Sequence, residues 1–113
     1  MKHITYAEKS LLVGDDAADA LLVYAATLAS HGRGDSVTLR ALGPDGDEVD
    51  ATFLLTAGSP LMAETATTTL PEPDNAGPVA AMLAEVARLE SPEPVSAADD
   101  PDGMPDLDRY LLD

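Results

Sequence analysis

Apolar and polar residues alternate at the start of the chain, with Ile4 and Tyr6 in one run and Leu11 and Val13 in the next. A period of two is that of a half-buried strand. A two-residue turn at Glu8-Lys9 sets Tyr6 opposite Leu11 and Ile4 opposite Val13, all on one face. Gly14 ends the second run, and the period then becomes helical. Ala18, Leu21, Leu22, Ala25, Leu28 and Ala29 form one stripe, with Tyr24 beside it. Asp16 reads as the cap of this helix, with Asp19 at its third position as an acidic capping box. Gly32 is its natural left-handed stop.

Two further alternating runs follow: Val37, Leu39, Ala41, then Val49, Ala51, Phe53, Leu55. Matching their faces pairs Ala41 with Val49, Leu39 with Ala51 and Val37 with Phe53. That register leaves Pro44-Asp45-Gly46 as a three-residue loop, which suits a type I turn followed by a left-handed Gly. Leu61 to Thr65 makes a third strand of this group, after a turn at Gly58-Ser59-Pro60. Leu70-Pro71-Glu72-Pro73 is held extended by its prolines. Asn75 reads as the cap of a second helix, with Pro78 in its first turn. Val79, Met82, Leu83, Val86 and Leu89 lie at helical spacing, and Ser91-Pro92 ends them.

The order β-β-α-β-β-β-α predicts an α+β domain over residues 1–90, an antiparallel sheet with two helices on one face. Thr38, Arg40, Leu42, Thr52, Leu54 and Thr56 would line the other face. Leu42 and Leu54 there suggest an apolar patch that a second copy, as a homodimer, would cover.

Charge separates the remainder of the chain from this domain. The 113 residues carry 21 acids, 6 bases and a net charge of −15, and residues 91–113 hold −6 of it. This Pro-rich stretch lacks the apolar content to fold alone and reads as a disordered acidic tail. Its end is amphipathic: Asp106 could cap one helical turn, placing Leu107, Tyr110 and Leu111 on one face. These three are the candidate contacts with a partner protein.

The same charge argues against nucleic acid as a direct ligand, because nothing would replace the phosphate counterions. The absence of Cys removes disulfides, thiolate metal sites and thiol nucleophiles. No apolar run approaches the roughly 20 residues of a membrane helix, and the amino terminus has no signal-like core. A cytoplasmic protein is expected.

Other patterns read as structure. Arg33-Gly34-Asp35-Ser36 spells an integrin-recognition tetrapeptide, but it sits where a helix must become a strand. Asp100, Asp102 and Gly103 give half a calcium loop, with Ala98 and Arg109 at its ligating ends. His31, at a helix end, suits the dipole, and His3 opens a strand. Gly32-Arg33-Gly34 lacks the glycines of a phosphate loop. No catalytic constellation and no cofactor motif emerges, although 21 acids always supply carboxylate pairs.

The segments Lys2-His3-Ile4-Thr5-Tyr6-Ala7, Leu11 to Asp19, Pro60 to Thr65 and Leu70 to Asn75 resemble small acidic hypothetical proteins of high-GC actinobacteria. The resemblance implies that the excess of Asp over Lys reflects coding bias. It implies no activity and no functional residue. The leading expectation is a non-enzymatic accessory or regulatory protein that binds another protein. The alternatives are a DNA mimic, drawing on acids such as Asp15, Asp16 and Asp19, and a small carboxylate-dependent hydrolase.

Overall fold

A computed structural model describes residues 1–91. Its elements are β1 (Lys2–Tyr6), β2 (Lys9–Val13), α1 (Asp15–Ser30), β3 (Asp35–Leu42), β4 (Glu48–Leu55), β5 (Leu61–Thr65) and α2 (Ala76–Glu90). The five strands make one antiparallel sheet in the order β4-β3-β2-β1-β5. Both helices cover one face of it, as the α+β reading predicts. The expected partner contacts Leu107, Tyr110 and Leu111 lie outside the described residues.

The β3–β4 hairpin has the register that face matching requires, with Ala41 against Val49, Leu39 against Ala51 and Val37 against Phe53. Its turn follows the same chemistry. The Gly46 N–H donates to the Gly43 carbonyl at 2.9 Å, the Gly43 N–H donates to Asp47, and Gly46 has φ +84°. Only glycine adopts that conformation without strain.

The first hairpin differs from its expected register by two residues. Tyr6 lies opposite Lys9 and Ile4 opposite Leu11, so the turn is Ala7-Glu8. A shift of two preserves each residue's face, so the apolar pattern is satisfied equally by either register. Ala7 takes φ +56° to make this two-residue turn.

The core lies between the helices and the inner sheet face. Ile4, Val13, Leu21, Leu39 and Leu55 are its largest fully buried side chains. Each contributes about 1.5–3 kcal/mol of apolar burial. Helix α1 ends as predicted: Gly32 has φ +64°, and the Arg33 N–H reaches back to the Leu28 carbonyl at 2.9 Å.

The predicted side-chain caps do not form. Helix α1 starts two residues earlier than an Asp16 cap allows, with Gly14 at the cap position. Asp15 and Asp19 instead pair with cations at the start of the chain, at 3.0 Å to the amino terminus of Met1 and 2.6 Å to Lys2 Nζ of β1. Asn75 does occupy the cap position of α2, but its side chain turns away from the helix. Its amide accepts from the Arg40 N–H and donates to the Arg40 carbonyl, both at 2.8 Å. Strands β2 and β3 meet only at Leu12 and Leu42, so the side of β3 beyond Leu42 lacks a strand neighbour. Asn75 is buried there and completes the ladder for one residue.

Candidate functional site

The sheet is strongly curled. In its strand order β2 and β3 lie between β1 and β4, so a flat sheet would hold β1 and β4 about 14 Å apart. Yet the Tyr6 hydroxyl donates to the Leu54 carbonyl at 2.6 Å, and the Tyr6 and Phe53 ring centroids are 6.2 Å apart. Curling brings the two edge strands, β4 and β5, together at the five-residue turn 56–60. The turn is locked by the Ser59 hydroxyl, which accepts from the Thr56 N–H at 2.7 Å and donates to the Leu54 carbonyl at 3.2 Å.

The helices do not cover the whole inner face. Burial is complete around Ile4, Val13, Leu39 and Leu55 and falls toward the hairpin ends. Tyr6 and Leu11 are half-buried, and Val49, at an inner position of β4, is 40% exposed. The uncovered end forms a concavity of about 690 Å³. Tyr6, Leu11, Val49, Ala51 and Phe53 give it an apolar floor, and Lys9, Asp45, Asp47 and Asp50 add charge. Asp45 lies below the ordinary carboxylate range because its carboxylate accepts from the Asp47 N–H at 3.1 Å. It is therefore anionic at neutral pH. Asp50 is 3.2 Å from Arg40 Nε, and Glu48 is 3.2 Å from the same guanidinium.

The sequence places Tyr6, Leu11, Val49 and Phe53 correctly on the inner face but assigns that face wholly to the core. The missed signal is one of supply. Five strands present more inner apolar positions than two helices rich in alanine can cover.

The predicted self-association patch does not form as expected. Leu54 is 61% exposed on the outer face, but Leu42 is only 6% exposed. Leu42 shares a cleft with Leu70 and Pro71, because the extended segment before α2 crosses that end of the sheet. The two leucines are thus not one exposed surface.

The remaining candidates are tied into local structure. His31 Nδ1 lies 2.9 Å from the Thr27 carbonyl at the end of α1. Two of the three acids proposed for phosphate mimicry, Asp15 and Asp19, are ion-paired. Among the described residues no group of three His, Asp or Glu side chains converges as a metal site. No helix among them is long and apolar enough to cross a membrane. Comparison with protein-family models, with curated proteins and with solved structures finds no match.

Proposed function

We propose that this protein is a non-enzymatic accessory protein that binds a segment of another protein in the mouth of its curled sheet. One observation carries the reading: the inner face stays apolar where no helix covers it. Tyr6, Leu11 and Val49 form a partly exposed apolar floor beside Phe53, which is buried in the core. An apolar surface left in water costs free energy in proportion to its area, and a partner's apolar side chains would recover it. The acids Asp45, Asp47 and Asp50 around that floor, on a chain of net charge −15, favour a segment that also carries Lys or Arg. Leu107, Tyr110 and Leu111 remain a second proposed contact, on sequence pattern alone.

A direct test titrates the full chain with a short peptide of valines and lysines, and with its valine–glutamate analogue. The lysine peptide should bind about tenfold tighter, equivalent to about 1.4 kcal/mol. It should perturb the NMR signals of Tyr6, Leu11 and Phe53. Val49→Glu, at an exposed position, should abolish binding without unfolding the protein. Equal binding of the two peptides, or perturbation elsewhere, would remove the site. Replacing Leu107, Tyr110 and Leu111 with serine in the full chain isolates the second contact.

A further inference from the structure

Six consecutive residues of β4, Val49 to Leu54, line the concavity. Successive side chains of a strand point to opposite faces. One cavity can touch all six only by running along the edge of the strand, against its backbone.

The register shows which main-chain groups lie on that edge. The Arg40 N–H and carbonyl are engaged by Asn75, on the side of β3 away from β4. Arg40 and Asp50 therefore form a non-hydrogen-bonded pair, and the N–H and carbonyl of Asp50 point away from β3. The same parity applies to Thr52 and Leu54. Leu54 provides an independent check, since its carbonyl meets the hydroxyls of Tyr6 and Ser59 on that side. Strand β4 has β3 as its only partner strand among the described residues, which leaves the edge open at Asp50 and Thr52.

We infer that the partner segment binds as an added antiparallel strand on β4, with main-chain hydrogen bonds to Asp50 and Thr52. This rests on the binding reading above and specifies the occupant. Side chains of the added strand that share a face with Val49, Ala51 and Phe53 enter the apolar floor. Those that share a face with Asp50 and Thr52 lie beside carboxylate and hydroxyl groups. The occupant is therefore an extended segment in which apolar residues alternate with Lys or Arg, not a helix with apolar residues three and four apart. A second copy of the chain fits poorly, since the β4 of that copy carries Glu48 and Asp50 where the site favours Lys or Arg.

Two peptides of identical composition separate the arrangements. One alternates lysine and valine, and the other groups its valines between lysines. The alternating peptide should bind about tenfold tighter, and N-methylation of its edge-facing amides should remove that advantage. Hydrogen exchange at the Asp50 and Thr52 amides of the full chain should slow when it binds. Equal binding of both peptides on Tyr6 and Phe53, with those amides unprotected, overturns the added strand and leaves the site standing. Failure of both peptides to reach Tyr6 and Phe53 overturns the site itself. Protection of Asp50 and Thr52 that rises with protein concentration alone assigns the edge to a second copy and overturns the inference.

Discussion

The hydroxyl of Tyr6 on β1 donates to the main-chain carbonyl of Leu54 on β4, with two strands between them in the sheet order. This bond joins opposite parts of the sheet and fixes its curl where the edge strands converge. Tyr6→Phe keeps the ring and its contact with Phe53 but removes the bond. A loss of about 1 kcal/mol is expected, read as a lower urea midpoint at unchanged slope.

Asn75 fills a gap in the ladder of β3. Asn75→Ala removes two hydrogen bonds and leaves the Arg40 main chain without its partner. The expected cost is about 2 kcal/mol in chemical unfolding. Asn75→Asp should be worse, since a carboxylate faces the Arg40 carbonyl without a proton to donate. A helix cap would give the opposite order, because aspartate and asparagine cap about equally well.

Tyr24 is buried, and its hydroxyl donates to Asp35. Burial, together with that carboxylate, pushes the phenol up to about 12. In the unfolded chain it ionises near pH 10. Between pH 10 and 12 the folded state therefore holds a proton that the unfolded state has lost. The contribution is complete below pH 10 and declines as pH rises through that window. Ultraviolet titration should show one tyrosine ionising late, and Tyr24→Phe should remove both that step and part of the alkaline loss of stability.

Ala7 holds φ +56° in the β1–β2 turn, a conformation that costs a residue with a Cβ about 1–2 kcal/mol. Glycine removes that strain and adds flexibility to the unfolded chain. Ala7→Gly should raise stability by roughly 0.5–1 kcal/mol on these terms. Gly46→Ala should lower it by a similar amount, because φ +84° then carries the strain. Thermal unfolding of the pair gives opposite shifts.

Local chemistry in the sequence determines much of the fold. The Pro44-Asp45-Gly46 loop and the matching faces of β3 and β4 allow one register, because turn geometry and apolar alternation agree independently. Gly32 ends α1 for backbone reasons that no tertiary contact alters. Where only alternation speaks, as around Ala7-Glu8, registers two residues apart satisfy it equally, and the turn decides between them. Capping was legible in position at Asn75 but not at Gly14, and in neither case as a side-chain bond to the helix. Asp15, Asp19 and Asn75 each found a group from a distant element: the amino terminus, Lys2 and the Arg40 backbone.

The candidate site lies at the far end of that scale. The sequence determines which face of each strand is apolar, because alternation is local. It does not determine how far two helices reach over five strands, nor that the sheet curls until Tyr6 meets Leu54. Those depend on sheet twist, strand stagger and the path of the segment that buries Leu42. Only the tertiary structure left Val49 in water and the β4 edge open beside it.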